Sequence, residues 1–353
     1  MNAGGTGRRV TLTEVAERAG VSRSAASFAL NGRLDQRLSE ETMARVRRAA
    51  EELGYRANVT AKTLRTGRSG TVALVSDFVS STSFANSMVR GALERLREAG
   101  LLLFTVDTQG DTDVERRFLD DLIARDIDGI LYASMFTRRV AVPAEARRVP
   151  LVLMNCEAEE GDLPAVIPDE EGAGRHAGRL LLEAGHRQDI WFVGTFRPGR
   201  TGGDAWHAWG PVALPRRLDG LRASLREAGT SLAGEMPIDD DWDVRNGLLA
   251  AERLLATGTV PRAVVAVNDA VAVGVEHALR RAGLRVPADV SIVSFDGGAL
   301  AEAVDPALVS LRLPQAEIGR RAAELLLDRS AAAGVERVPM PATAGGSIAA
   351  PRA

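Results

Sequence analysis

The chain has a single cysteine, Cys156, so it cannot form an intramolecular disulfide. Its four histidines show none of the spacings at which proteins bind zinc. No apolar run approaches the length of a membrane span, and residues 1–9 are small, polar and basic, without the apolar core of a signal peptide. These absences predict a cytoplasmic protein that holds no metal and has no membrane partner.

Motifs of catalysis are missing as well. The sequence contains no Walker loop, no nucleophile elbow and no ordered glycine fingerprint at a strand-to-helix turn. The acidic pair at residues 120–121 lies on a predicted helix, on the face that we expect to be solvated. No combination of acid, base and nucleophile is apparent, so we expect neither an enzyme nor a cofactor.

What the chain does have is an uneven distribution of charge. The whole chain of 353 residues carries a formal net charge of −3. Residues 1–70 contain 13 Lys+Arg and 7 Asp+Glu, so this segment carries +6 and the remainder carries −9. A basic head on an acidic body indicates that only the head meets a polyanion such as DNA.

Capping signals mark three short helices in the basic segment. Thr11 and Glu14 have the spacing of a capping box, and Gly20 permits the left-handed conformation that ends a helix. Ser22 and Ser39 can cap a second and a third helix. Two short helices joined at a glycine and braced by a third form the arrangement that places a helix in the DNA major groove. A small helical bundle with an arginine-rich surface is the alternative.

The second predicted helix supplies the candidate base contacts. Arg23 and Ser24 lie in its first turn, where side chains reach base edges, and arginine pairs well with guanine. Ser27 and Phe28 also face outward, and Phe28 can touch a thymine methyl group. The candidate phosphate contacts are Thr11, Ser22 and Arg33.

From residue 71 onward, short apolar runs alternate with amphipathic stretches. Continuous Val, Ile and Leu runs are typical of strands buried on both faces, as in parallel sheets covered by helices. The alternation is too long for one open sheet, so we predict two doubly wound parallel-sheet lobes with a cleft between them. The predicted strands are 72–76, 101–106, 129–134, 151–155, 190–193, 263–267 and 291–295. The predicted helices are near 84–99, 113–125, 170–184, 217–228, 244–256, 270–282 and 315–327.

Residues that follow these strands are candidate ligand contacts, because such folds bind ligands at the carboxyl ends of their strands. Carboxylates, an amide and a guanidinium suit sugar hydroxyls, which need paired donors and acceptors. In the first lobe the candidates are Asp77, Phe78, Asp107, Met135 and Phe136. In the second lobe they are Asp169, residues 195–217, Asn268, Asp269 and Asp296.

Several segments resemble the lactose-repressor (LacI/GalR) family of regulators. The most specific are residues 10–22 (VTLTEVAERAGVS), 29–32 (ALNG), 267–274 (VNDAVAVG) and 282–296 (AGLRVPADVSIVSFD). The resemblance covers nearly the whole chain. It implies a DNA-binding regulator, a repressor, that dimerises on a pseudo-palindromic operator. It also implies that a small effector, a sugar or sugar derivative, binds between lobes of the periplasmic-binding-protein type.

The resemblance also implies a domain plan. The DNA-binding domain spans 10–57 after a tail of residues 1–9, and a hinge and linker span 58–70. The effector-binding and dimerisation domain spans 71–353, with a first lobe at about 71–167 and 312–353 and a second at about 168–311. The effector contacts implied by position are Asp77, Phe78, Arg217, Asn268 and Asp296.

In the family, a hinge segment folds on DNA and enters the minor groove. Carried over by position, Leu64 is the wedge that opens a base step, and Ala61 allows the partner hinge to approach. Asn58 and Lys62 complete the implied contacts to DNA. A plain interdomain linker is the alternative.

The sequence departs from the family's pattern at three places. Phe28 replaces an arginine of the recognition helix, and Asp169-Glu170 replaces the usual acid-amide pair near the ligand. A long segment at 195–215 carries Trp206 and Trp209, whose rings can stack on the faces of an oligosaccharide. A loop that folds back onto its own lobe is the alternative for this segment.

A ligand-controlled repressor is the leading hypothesis for function. A sugar-binding module without DNA activity leaves the basic head unexplained, and an enzyme built on an α/β lobe has no motif support. We expect no tetramerising tail, because residues 331–353 have no long helical pattern and lack leucine heptads.

Overall fold

The computed structural model describes residues 10–31, 38–56, 63, 67–78, 83–196, 212–239, 241–328 and 330–352. The chain divides into two compact units, residues 1–69 and 70–353. No helix in these described ranges is long and apolar enough to cross a membrane.

The first unit contains the three short helices that were predicted. They are α1 (Leu12–Ala19), α2 (Arg23–Asn31) and α3 (Glu40–Glu52). Both halves of the capping box at Thr11 and Glu14 are formed, and Gly20 ends α1 with a φ of 65°. Small residues let the helices pack closely, which fixes the angle at which α2 is presented. The buried core is Val15, Ala16, Ala19, Ala26, Ala29, Val46, Ala49 and Ala50.

The second unit contains two parallel sheets. The first sheet has the order β11-β5-β4-β3-β1-β2 and the second has the order β10-β9-β8-β6-β7. The strands of the first sheet are β1 (Thr71–Ser76), β2 (Leu102–Asp107), β3 (Gly129–Val140), β4 (Leu151–Ala158), β5 (Pro164–Pro168) and β11 (Gly334–Val338). Those of the second are β6 (Ile190–Phe196), β7 (Gly234–Ile238), β8 (Ala263–Ala266), β9 (Ser291–Asp296) and β10 (Val309–Arg312).

Helices connect and cover these strands. They are α4 (Ser83–Glu98), α5 (Thr112–Ile123), α6 (Glu170–Glu183), α7 (Ala213–Glu227), α8 (Val244–Ala256), α9 (Asp269–Arg281), α10 (Ala299–Ala303) and α11 (Gln315–Leu327). In β1, Val72 and Leu74 join one buried cluster while Ala73 and Val75 join another, so this strand is covered on both faces. The predicted fold class, a helical N-terminal unit followed in the sequence by two doubly wound parallel-sheet lobes, is confirmed.

A close crossing of α6 and α7 brings together two of the charged residues discussed below. A Cβ atom at Gly174 would lie 2.0 Å from the carbonyl oxygen of Arg217, and one at Gly220 would lie 2.0 Å from that of Glu171. Only glycine fits at such a contact between two helix backbones. The crossing places Arg217 of α7 next to Glu170, the first residue of α6.

The chain crosses between the lobes once more than we predicted. Helix α11 and β11 belong to the first lobe, but Met340 lies in the core of the second. The Ile292 N–H donates to the Ser347 carbonyl (2.8 Å), and His186 Nε2 lies 3.0 Å from the Ala349 carbonyl oxygen. The assignment of residues 340–349 to the first lobe is therefore wrong, because this segment bonds to the edge of the second sheet instead.

Candidate functional sites

The N-terminal unit presents a polar helix start. Arg23 and Ser24 are exposed in the first turn of α2, while Ser27 and Phe28 are half-buried. The Ser22 side chain accepts a hydrogen bond from the Ala25 N–H (3.1 Å). The Thr11 side chain is engaged in the same way by the Glu14 N–H (3.3 Å). Both hydroxyls therefore order helix starts. Of the other DNA-contact candidates, Arg33, Asn58, Ala61, Lys62 and Leu64 lie outside the described residues.

A buried charge cluster lies at the strand ends of the second lobe. Arg217 Nε donates to Glu170 Oε2 (2.6 Å), and Arg217 Nη1 donates to the Val267 carbonyl (2.7 Å). Both terminal nitrogens of Arg217 also lie 3.4–3.5 Å from Asp296 Oδ1. The guanidinium stacks 4.7 Å from the centre of the Phe295 ring, which fixes its plane.

Asp296 has a strained backbone and a raised pKa within this cluster. Its φ is +97°, which an L-residue rarely adopts and which often marks a functional site. Burial raises its pKa to about 7; Arg217 opposes this rise, and Asp269 and Glu170 add to it by repulsion. Asp269 is itself saturated, since it accepts from Ser294 and Ser310 (2.6 Å each) and from the Gly298 N–H (2.8 Å).

Asn268 links this cluster to an aromatic pair. Its Oδ1 caps α9 by accepting from the Val271 N–H (2.9 Å), and its Nδ2 donates to the Trp242 carbonyl (3.1 Å). The Trp242 ring stacks on Phe196 at 5.2 Å with an interplanar angle of 15°. Its Nε1 donates to the Gly194 carbonyl (3.0 Å). These bonds hold a flat aromatic surface beside the ends of β6 and β8.

The first lobe has its own polar cluster, formed where β1 ends and around the register shift within β3. Asp77 Oδ1 accepts from the Phe78 N–H (2.8 Å) and the Met135 N–H (3.0 Å), and Oδ2 accepts from Ser134 Oγ (2.8 Å) and Arg138 Nη2 (3.1 Å). Asp77 thus links the residue after β1 to the middle of β3, and it orients Arg138. Arg138 lies within hydrogen-bonding distance of Asp77 because β3 continues past a register shift between Ala133 and Arg138.

Three contacts join the lobes near these clusters. Thr137 Oγ1 donates to Asn155 Oδ1 (2.9 Å) within the first lobe and lies 3.4 Å from Glu170 Oε1 of the second. The Val212 N–H donates to the Thr137 carbonyl (2.9 Å). Arg216 of α7 forms a bidentate pair with Glu157 of β4 at 2.8 and 3.0 Å. A polar path therefore runs from the strand ends of one lobe into the other.

Some of these residues were predicted from the sequence and others were not. Arg217 and Asp296 lie together, Asn268 is tied to the aromatic pair, and Asp77 with Phe78 lies in the first lobe. Trp206 and Trp209 lie outside the described residues. Arg216 falls within the predicted segment 195–217, whereas Thr137, Arg138, Asn155, Glu157 and Trp242 were not predicted.

Two family models match the two units. The model described as bacterial regulatory proteins of the lacI family matches residues 11–58, and that of periplasmic binding proteins and the sugar-binding domain of the LacI family matches residues 70–343. The chain belongs to the LacI family. The predicted resemblance is confirmed, and LacI-family membership makes the chain a DNA-binding transcriptional regulator.

Individual relatives of this LacI-family chain agree. The ribose operon repressor of Escherichia coli (strain K12) is 30% identical over 321 residues, which cover 90% of this chain and 92% of that protein. The HTH-type transcriptional repressor PurR of Pectobacterium carotovorum is 29% identical, covering 90% of each chain. A solved complex of the transcriptional regulator CelR with cellobiose is 28% identical with a TM-score of 0.63, covering 96% of this chain and 100% of that one.

The raised pKa of Asp296 predicts a pH-dependent stability. Between its ordinary value near 3.8 and about 7, the folded state binds more protons here than the unfolded state. Stability should therefore fall as pH rises through this window, by up to about 1.4 kcal/mol per pH unit. Asp296→Asn should make this slope shallower in denaturant unfolding followed by tryptophan fluorescence. Asp219→Asn, which removes a carboxylate 70% exposed on α7, is the control and should leave the slope unchanged.

Proposed function

We propose that this protein is a repressor that binds a pseudo-palindromic operator as a homodimer and responds to a sugar-like effector held between its two lobes. The observation that carries the proposal is the pairing, in one chain, of a helix-turn-helix unit with hydrogen-bonding clusters at the strand ends of two lobes. We further propose that it acts in the cytoplasm, where its DNA lies, and that it does not catalyse a reaction on its effector.

The proposed DNA contacts follow from the exposed start of α2. Arg23 and Ser24 read base edges in the major groove. Ser27 and Phe28 lie one turn further along α2, where Phe28 contacts a thymine methyl group. Thr11, Ser22 and Arg33 hold phosphates. Asn58, Ala61, Lys62 and Leu64 act in a hinge that enters the minor groove, so Leu64→Ala should weaken operator binding without affecting the effector.

The proposed effector contacts combine acceptors, donors and an aromatic face. Asp296 supplies a carboxylate, Arg217 and Asn268 hold the site's geometry, and Trp242 offers the flat surface on which sugar rings stack. Asp77 and Phe78 are the proposed contacts from the first lobe, and Trp206 and Trp209 are further candidates for stacking on a sugar ring. Two relatives, the ribose operon repressor and the CelR regulator in complex with cellobiose, support a carbohydrate ligand.

An exposed apolar edge supports the proposed dimer. Strand β2 lies at the edge of the first sheet, where Leu102 is 63% and Phe104 46% exposed. Leu93 on α4 is 44% exposed. An open edge with apolar side chains is a liability in a monomer, and pairing with a second copy would cover it. Sedimentation equilibrium should therefore give twice the chain mass.

Selection of bound fragments from random duplex DNA tests the DNA-binding function. We expect enrichment of a two-fold related sequence and a steep fall in affinity as salt rises, because phosphate contacts release counterions. Failure to enrich any sequence would instead favour a sugar-binding module without DNA activity.

Arg23→Ala should weaken binding to the selected operator by about 1–3 kcal/mol, because a bidentate contact to guanine is lost. It should also relax sequence preference at one position of each half-site. Arg18→Ala removes an arginine already paired with Glu52 (2.6 Å) and serves as the control in the same unit. Equal losses in both variants would mean that Arg23 contributes only charge.

A further inference from the structure

The guanidinium of Arg217 is fully engaged by protein atoms. Glu170 holds its Nε at 2.6 Å and its Nη2 at 3.3 Å, while the Val267 carbonyl takes Nη1 at 2.7 Å. The side chains of Arg217 and Glu170 are only 5% and 1% exposed. A carboxylate or phosphate that entered the cleft would find no spare donor on this arginine.

The hydrogen-bonding group that this cluster still offers to a ligand is an acceptor, the carboxylate of Asp296. Asp296 is 17% exposed, and only its Oδ1 carries hydrogen bonds among the described residues, both of them long contacts to Arg217. Asp269 is saturated by two serines and a backbone N–H. Glu170 and Asp296 thus contact one guanidinium and Asp269 lies near it, and the most exposed of the three, Asp296, is a hydrogen-bond acceptor when it is ionised.

We propose that Glu170 sets the charge class of the effector. By occupying Arg217, it leaves a cleft that takes hydroxyl or ammonium donors and rejects ligands that place a carboxylate or phosphate there. An anion at this position would face Asp296 and Asp269 without a compensating donor, which is a repulsive element built against one class of ligand. The inference rests on the proposed function of the cleft as the effector site. It narrows the class of effector to neutral or amine-bearing polyhydroxyl compounds.

The variant Glu170→Gln tests the role of the Glu170 side chain with inorganic phosphate as the probe. The change removes one negative charge and releases the Nε and Nη2 donors of Arg217 from a carboxylate. Phosphate should therefore raise the melting temperature of the variant, and the rise should saturate with phosphate concentration. Sodium chloride at equal ionic strength should not have this effect. Glu171→Gln, with the same change in charge at a side chain 59% exposed, is the matched control. The wild type and this control should show no saturable rise. An equal response of wild type and Glu170→Gln would overturn the proposal.

A second arm needs no variant. The wild type is titrated by calorimetry with sets of sugars that differ in charge: glucose, glucosamine and glucuronate, then ribose and ribose 5-phosphate. In any set that binds, the neutral or amine member should bind more than about tenfold more tightly than the acid, as expected for like-charge juxtaposition. Tighter binding of an acid member would refute the proposal, and if no set binds, the phosphate arm decides. A protein that selects an operator but prefers an acid keeps its proposed function and loses only this inference.

Discussion

Replacement of Arg217 by methionine is expected to destabilise the second unit by about 3–5 kcal/mol, because it leaves buried carboxylates without their partner. Glu170 and Asp296 both lie against this guanidinium, and the Glu170 side chain is 1% exposed. Methionine replaces the aliphatic part of the arginine side chain but carries no charge and forms none of its hydrogen bonds, so the uncompensated charge of the carboxylates dominates the loss. The effector response should be lost as well, since Asp296 would no longer be oriented.

Tryptophan fluorescence in urea measures this effect, because all four tryptophans lie in residues 191–242 of the second lobe. Arg222→Met is the control: it lies on the same helix, is 48% exposed and pairs with Glu235 at the surface. Surface pairs of this kind contribute about 1 kcal/mol or less. The double variant Arg217→Met/Glu170→Met should recover part of the loss, because it removes one of the stranded charges. Equal unfolding midpoints for Arg217→Met and the control would exclude a structural role for the cluster.

Several helices of this fold could be predicted from sequence because they combine a capping residue with an amphipathic pattern. The region 244–256 was predicted at its observed bounds, and Asp243 caps it. The prediction near 217–228 missed the first turn of α7, which has no capping side chain. Strands in the middle of a sheet were recognisable as continuous apolar runs, as in β1 and β9.

Four strands at or near the sheet edges were missed for a physical reason. Strand β7 (GEMPI) is half-exposed and contains a proline, and β11 (GVERV) is mostly polar, so neither gives a continuous apolar run. The four residues of β10 are too short to stand out. Strand β5 begins and ends with proline and pairs with β4 over only two registered residues.

Missed strands, and strands predicted too short, explain why some site residues were not predicted. Trp242 follows β7, so it could not be marked as a strand-end residue while β7 was unrecognised. Arg138 and Glu157 lie where β3 and β4 continue past their predicted ends. Glu170 was noted as a departure from the family's acid-amide pair, but its engagement of Arg217 depends on the crossing of α6 and α7, which no local pattern encodes.

The bidentate pair of Glu157 and Arg216 should act as a latch between the lobes. The two side chains are 10% and 23% exposed, so water screens the pair only partly. Glu157→Gln should favour lobe opening by about 1–2 kcal/mol, which is roughly five- to thirtyfold in the equilibrium between open and closed forms. Exchange of the charges in Glu157→Arg/Arg216→Glu should restore closure, because the same pair is formed in the opposite sense.

Spin labels on Asp121→Cys and Arg280→Cys, one exposed site in each lobe, measure this opening directly. The native Cys156 is buried and does not compete for label, and dilution with unlabelled protein removes distances between subunits. Arg139→Gln is the control, since that arginine is 64% exposed and 4.0 Å from Glu157. An unchanged distance distribution in Glu157→Gln would rule out the latch.

Arg216 adjoins Arg217 on α7, so the latch and the effector cluster move on one helix. If the latch biases the state that binds operator, Glu157→Gln must change operator affinity and effector affinity in a linked way. The coupling between two ligands is reciprocal, so the effector should alter operator affinity by the same factor by which operator alters effector affinity. A variant that changes lobe distance but leaves both affinities untouched would separate closure from DNA control, and lobe closure would then not be the signal that reaches the DNA-binding unit.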